Sequence, residues 1–439
     1  MRNFADIPFA PRKLPFFYGW LILGVGTIGT VSSIPGQTMG VSVFTDYLIE
    51  ALGLSREGLS MAYMAGTITS SFLLPLGGRW IDRLGARVIM VIMALALGAS
   101  LCALGASDRL LHAATALFGE GSAVVSAAVI GFLVFLAVRF FGQGMIAMVP
   151  RVMIGKWFHR RRGLAAGISG VIVSAGFALS PKILDVLINH FGWRTACFAL
   201  AGLVSFGMGT IALIFYRDNP EECGLTPDGD IEDEHSASKR PKVRDFTLSE
   251  ARRNFSFWVF SLGLGAQGLI ITAVTFNLVA IGEEAGIPRE QVFNLFLPMP
   301  LFSVTANLAG GWLSDRIPLN RLLLVMMTMQ AIGTGALLYF DTTWGFWMAV
   351  AGYGISGGMF GCLVTVTWPR FFGIQHLGAI SGLNMSIMVF ASAIGPYLFA
   401  KVQAITGSFH HATAGCIIMP VAIFIAALFA HNPQDRTTE

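Results

Sequence analysis

Apolar residues run through this chain in long blocks separated by short polar breaks. The blocks predict twelve helices. Six fall in the first half, at roughly 17–44, 58–78, 86–106, 127–155, 162–186 and 192–216; six fall in the second, at 255–281, 291–313, 319–340, 345–369, 377–401 and 411–430. A helix needs ~20 apolar residues to cross a bilayer, and the blocks match that length. Strands of a membrane barrel alternate apolar and polar positions over ~10 residues; these blocks do not. Backbone that faces lipid must satisfy its own hydrogen bonds, which leaves the helix. The pattern predicts an all-α membrane protein.

The breaks between blocks carry a second pattern. Gly78-Arg79-Trp80-Ile81-Asp82-Arg83-Leu84-Gly85-Ala86-Arg87 is a charged turn between the second and third helices, and its core, Gly-x-x-x-Asp-Arg, returns at Gly311-Trp312-Leu313-Ser314-Asp315-Arg316, 233 residues later. Other landmarks repeat at 215: Gly142 with Gly357, Gly163 with Gly378, Gly167 with Gly382, Pro181 with Pro396. The halves are therefore repeats. The first carries a surplus of 18 residues between the turn and the fourth helix, which fits Leu110 to Ser126 as an outer loop or a short surface helix. Repeated halves with a polar site near the midplane are the architecture of many secondary transporters. The expected organisation is an N-terminal six-helix bundle at 1–216, a cytoplasmic linker at 217–254 and a C-terminal six-helix bundle at 255–439. The acidic (Asp228 to Glu234) and basic (Lys239 to Arg244) parts of the linker read as solvated tethers.

Charge orients the helices. With both termini inside, 22 Lys and Arg lie at cytoplasmic ends and loops. Six lie outside (Arg56, Arg109, Lys182, Arg194, Arg289, Lys401), and Arg139 lies within a helix. This is the bias of the positive-inside rule. Only 12% of the residues are charged and 54% are hydrophobic, about half the charge of a soluble domain. The expected setting is the inner or plasma membrane, spanned many times. The first apolar run is too long for a signal-peptide core and reads as a retained helix. Basic residues form no continuous face, so nucleic acid is not expected as a partner. The five cysteines are scattered without a C-x-x-C pair, so neither a metal site nor a disulfide framework is indicated. No nucleophile–base pair and no Walker-type phosphate loop occurs, so no enzyme activity and no cofactor are expected.

The motifs resemble a known family. The turn at Gly78 is similar to the loop between helices two and three of the major facilitator superfamily, roughly Gly-x-Leu-Ala-Asp-Arg-x-Gly-Arg-Arg. Gly78, Asp82, Arg83, Gly85 and Arg87 match, while Trp80, Ile81 and Ala86 depart. Arg139-Phe140-Phe141-Gly142-Gln143-Gly144 resembles the fourth-helix motif Arg-x-x-Gln-Gly. Tyr18-Gly19-Trp20, Lys156 to Gly167 and Phe191-Gly192-Trp193-Arg194 look like the monocarboxylate-transporter and oxalate/formate-exchanger group. The resemblance implies twelve transmembrane helices in two pseudo-symmetric six-helix bundles, rocking around a central site. That group commonly holds its carboxylate with an eighth-helix arginine; here Asn307 takes that place, and a neutral amide lacks the charge-assisted grip.

Candidate residues follow. Arg139 lies 17 residues before Lys156, ~25 Å along the axis, so it sits inside the membrane and needs protein or water around it. It reads either as a structural arginine bonded to carbonyls or as an anion or proton-coupling contact. Gln37, Thr38, Gln267, Asn307 and Asn384 are polar residues in apolar helices, cavity-lining candidates or interhelical contacts; Pro35-Gly36 predicts a break in helix one beside Gln37. Gly78, Asp82, Arg83, Arg87, Gly311, Asp315 and Arg316 read as gating residues, with Asp82 pairing with a helix end or an arginine and Arg83 and Arg87 bonding the far half. The expected function is secondary active transport of a small solute, a small organic (mono)carboxylate, by alternating access, with protons or a counter-substrate as the coupled partner and a monomer as the working unit. The alternative is an exporter of a neutral or amphiphilic molecule. A third reading, a transporter-like receptor, calls for a long structured cytoplasmic extension, and the linker and tail are short for one.

Overall fold

The computed structural model describes residues 6–229, 244–288, 292, 295 and 298–437. The linker from 230 to 243, most of the expected start of helix eight, and Arg289 lie outside the described residues. The spans are α1 (Gly19–Ser42), α2 (56–84), α3 (86–105), α4 (Glu120–Trp157), α5 (Arg162–Phe191), α6 (Trp193–Phe215), α7 (Phe255–Glu284), α8 (described over Met299–Ser314), α9 (Leu319–Tyr339), α10 (Thr343–Phe372), α11 (Leu377–Thr406) and α12 (Phe409–Ala427). They form the expected two pseudo-symmetric six-helix bundles. Several start on side-chain caps, which satisfy first-turn amides. Ser55 accepts from Gly58 at 3.0 Å, Asn254 from Ser256 at 2.9 Å and Ser408 from His410 at 3.0 Å.

Three features depart from or refine the reading of the sequence. The charged stretch after Gly78 is not a loop. α2 stays helical to 84 and breaks only at Gly85 (φ 80°, ψ 161°). Arg and Leu are good helix formers, whereas that backbone conformation is open in practice to glycine alone. The 18-residue surplus is a surface helix, Ser107–Phe118, tied down by an ion pair between Asp108 and Arg194 at 2.6 Å. That hydrogen bond holds the Asp108 carboxyl below its usual range. Finally, α1 does break where Pro35-Gly36 stands. It is α-helical over Gly19–Val31, 3-10 over Ile34–Gly36, extended at Gln37 (ψ 160°) and α-helical again over Thr38–Ser42.

The chain clusters into two compact units. Unit 1 comprises Met1–Trp157, Ala175–Gly229 and Ser381–Ser386; unit 2 comprises Phe158–Ser174, Asp230–Ile380 and Ile387–Glu439. Close contacts inside each unit reproduce the repeat. In unit 2, a Cβ on Gly167 of α5 would lie 3.5 Å from the carbonyl oxygen of Asn307 in α8; in unit 1, one on Gly382 of α11 would lie 2.7 Å from that of Leu74 in α2. Gly382 follows Gly167 by 215 positions and Asn307 follows Leu74 by 233, the two offsets read from the sequence.

The connector is not a plain tether at its ends. Within unit 1, Arg217 is buried and donates to the carbonyls of Ile214, Tyr216, Ile7 and Phe9. Asp218 accepts from the Ala86 amide at 2.9 Å, capping α3, and from Lys156 Nζ at 2.9 Å, at the end of α4. Within unit 2, Asp245 accepts from the Ile374 and Gln375 amides at 2.7 and 3.0 Å. Lys156 is only 8% exposed. Removing one partner of a buried pair strands the other charge, so Asp218→Asn is expected to lower stability by about 3 kcal/mol and to lower the thermal unfolding midpoint in detergent. An unchanged midpoint would show the pair to be dispensable.

Candidate functional site

The site is built where the break in α1 meets α4. Over Arg139–Ile146, α4 is π-helical. The chain has three residues between Arg139 and Gln143 where the fourth-helix motif has two, and a π-turn is how a helix absorbs one extra residue, often at a functional position. The break and the π-turn touch backbone to backbone: a Cβ on Gly36 would lie 2.5 Å from Gly142 Cα and 2.7 Å from the Val138 carbonyl oxygen. No other residue type fits there without moving one helix.

This approach delivers Arg139 into the gap. The residue is 2% exposed. Nη1 donates to the Gly36 carbonyl at 3.1 Å, a group freed by the break in α1, and to Thr38 Oγ1 at 3.3 Å. The cation lies 5.2 Å from the ring centre of Tyr63 in α2, and the Tyr63 hydroxyl lies 3.1 Å from Thr38 Oγ1. Phe135 packs edge-on against the Tyr63 ring at 5.3 Å. Nε has no hydrogen-bond partner among the described residues, and none of their ion pairs involves Arg139. Asp46, in the helical stretch after the break in α1, is exposed and paired with Arg56 at 2.6 Å. Arg139 is thus a desolvated cation with carbonyl and hydroxyl partners, aromatic cover and an idle donor. Such a group can take a small anion by charge-assisted hydrogen bonds.

The other candidates divide. Thr38 belongs to the cluster. Gln37, one residue away, turns back to Ser33 Oγ at 3.0 Å. Asn384 is buried in the part of α11 that clusters with unit 1. In unit 2, Gln267 is buried in α7 with its carbonyl oxygen unpartnered. Asn307, read as cavity-lining or as an interhelical contact, has the second arrangement. Its amide fills the positions that Cβ atoms on Gly170 and Gly361 would take, at 2.5 and 2.4 Å, so it packs between α5 and α10. An amide of that size fits because both facing residues are glycines.

The gating candidates also divide. Gly78 lies 3.2 Å from where a Gly382 Cβ would sit, and Asp82 is half-buried in the last turn of α2. Arg83 is exposed. Arg87, expected to bond the far half, donates Nε to the Leu213 carbonyl of α6 at 2.7 Å. Arg316 bonds the Trp312 carbonyl at 2.9 Å and stacks on that ring at 4.0 Å, a local arrangement that the preceding turn of α8 puts within reach. Asp315 accepts from the Gly163 amide at 3.1 Å, in the first turn of α5, where the helix dipole favours an anion. Burial pushes its carboxyl up, opposed by the Gly163 amide, Arg370 and Arg162. Gly163 and Gly311 meet directly beside it: a Cβ on Gly163 would lie 2.0 Å from the Gly311 carbonyl oxygen.

Two groups escaped the sequence reading. Tyr63 carried no signal beyond being aromatic. Gln330, Thr334, Tyr353 and Ser356 form a buried hydrogen-bonded chain between α9 and α10, with Ser356 donating to Gln330 at 3.0 Å and Tyr353 bonding Thr334 at 3.2 Å; Gln330 and Thr334 are one helical turn apart, the only trace in the sequence. Among the described residues no cluster of three metal-ligating side chains comes together.

Comparison with known proteins bears on family and fold. The family model of the Major Facilitator Superfamily matches residues 26–396. Monocarboxylate transporter 11 of Homo sapiens is 27% identical over 283 residues, 61% of this chain and 56% of that protein. The probable sulfoacetate transporter SauU of Cupriavidus necator is 24% identical over 296 residues, 64% of this chain and 61% of its own length. The matches therefore span less than two thirds of either relative. Among solved structures, the proton:xylose symporter XylE superposes with a TM-score of 0.69 at 15% identity, covering 96% of this chain and 99% of that one, which shows a shared fold. Family members are transporters that bind small molecules, not enzymes. With two six-helix repeats and a family match running from α1 into α11, the chain belongs to the Major Facilitator Superfamily.

Proposed function

We propose that this protein carries a small organic anion, a (mono)carboxylate first, by alternating access, with proton coupling or exchange supplying the energy. It would work as a monomer in the inner or plasma membrane with both termini in the cytoplasm. The observation that carries this reading is Arg139, buried in the α1 break with an idle Nε and no acidic partner. A desolvated cation without an anion is costly inside a membrane, and a substrate carboxylate would relieve that cost. Both relatives above are named for small anionic substrates, which supports the same class. Gating would fall to the paired contacts: Gly163 and Asp315 with Gly311, and Gly382 with Gly78 and Leu74. These would part and re-form as the protein changes its open side.

One observation favours the alternative substrate class. The eighth-helix position reads Asn307 and is packed shut, so the second half offers no equivalent arginine there. A ligand panel on purified protein separates the two. A ligand that binds the folded state raises its stability by ~2.7 kcal/mol at a hundred times Kd. Small carboxylates or sulfonates should raise the unfolding midpoint while neutral amphiphiles of similar size do not. The reverse ranking would favour the exporter of neutral compounds.

A further inference from the structure

We infer that unit 2 holds a binding site for an anionic phospholipid where α7 begins and α12 ends. A cavity of about 190 Å³ lies there, lined by Arg253, Asn254, Phe255, Ser256, Phe429 and His431 among others. Ser256 Oγ donates to the His431 carbonyl at 2.6 Å, so the two helix ends are fastened and the cavity is part of the fold. Its lining contains no carboxylate. Arg252 and Arg253 are exposed, and neither takes part in an ion pair among the described residues. The nearby Glu250 is taken by Arg244 at 2.6 Å and by Thr247, and Asp435 is engaged by Asn432 at 3.4 Å. The cavity therefore presents cationic and hydrogen-bonding groups that no carboxylate among the described residues neutralises.

Apolar surface leads away from the cavity on both helices. On α7, Phe255, Trp258 and Leu262 are 54%, 41% and 50% exposed; on α12, Val421 and Ile425 are 45% and 55% exposed, and Phe429, in the turn just after it, is 65% exposed. Spacings of three and four residues put each set on one helix face. A charged head site opening onto two apolar stripes matches a phosphate with an acyl chain. A free phosphate would have no use for the stripes. Trp258 lies in the first turn of α7, its Nε1 bonded to the Arg252 carbonyl at 2.8 Å, and indole rings favour the membrane interface.

The test uses the delipidated full-length protein in detergent, with native mass spectrometry counting bound phosphatidylglycerol or phosphatidylcholine. Each basic residue near a lipid headgroup contributes about fivefold in affinity for anionic lipid, so wild type should retain phosphatidylglycerol over phosphatidylcholine by about that factor or more. The double variant Arg253→Gln, His431→Gln should lose the preference, and Arg253→Lys should keep it. Inorganic phosphate at millimolar concentration should not displace the lipid. An unchanged preference in the double variant, or equal retention of the two lipids by wild type, would overturn the site; displacement by phosphate would overturn a lipid as its occupant. These side chains are at the surface, so the variants are expected to fold, and an unchanged elution profile checks this.

Discussion

Arg139→Gln is expected to weaken binding of a small carboxylate by at least about a hundredfold, ~2.7 kcal/mol, while the protein still folds and inserts. Glutamine keeps an amide that can donate to the Gly36 carbonyl, now 3.1 Å from Nη1, so the packing of α1 on α4 has a substitute bond. The charge has none. A charge-assisted hydrogen bond is about twice as strong as a neutral one, and loss of one partner of a desolvated charge pair typically weakens binding by 2–5 kcal/mol or more. Arg139→Lys retains charge but not the planar fork, and should fall between the two. A purely structural arginine gives the opposite signature: a lower unfolding midpoint in Arg139→Gln with unchanged ligand affinity.

Gly163→Ala is expected to shift the conformational equilibrium without touching the ligand. The added Cβ would lie 2.0 Å from the Gly311 carbonyl oxygen and 2.2 Å from Ser314 Oγ. The first is backbone and cannot swing aside. Overpacking of this kind typically destabilises by 1–3 kcal/mol, which is about 5–150-fold in an equilibrium constant. The penalty applies only while α5 and α8 are in contact, so it favours the state in which they part. Helix propensity gained by alanine is the same in both states and cancels. Ser314 is fully buried, so a cysteine placed there, with the five native cysteines replaced, reports the change. Gly163→Ala should raise its reaction rate with a membrane-impermeant thiol reagent by that same 5–150-fold factor. An equal rate in both backgrounds would mean that this contact does not gate.

Much of the fold was legible in the sequence because lipid imposes a simple rule: unbroken apolar blocks of fixed length. The repeat was legible too, since glycines at close approaches have no substitute, and Gly167 and Gly382 do meet equivalent positions of α8 and α2. Other features depended on distant partners. Arg217 and Asp218 read as the start of a charged linker, yet Asp218 binds Ala86, 132 positions earlier. Asn307 read as either cavity-lining or an interhelical contact; the facing glycines, Gly170 and Gly361, are what show that it packs. Arg87 read as a charge able to reach the far half, and its Nε donates to the Leu213 carbonyl of α6; Arg316 read as a gating residue, and it bonds the carbonyl of Trp312, one turn back. The π-turn at Arg139 left a one-residue trace in the motif spacing. Its meaning emerged only with the break in α1 beside it.

The most direct test is counterflow in proteoliposomes: uptake of a labelled carboxylate that stabilises the protein, driven by the unlabelled compound inside, with wild type and Arg139→Gln compared at equal reconstitution. The expected result is saturable counterflow with wild type and flux at the level of empty liposomes with the variant. Equal flux in both would contradict Arg139 as the substrate's cationic contact, and absence of flux in wild type despite binding would contradict transport itself.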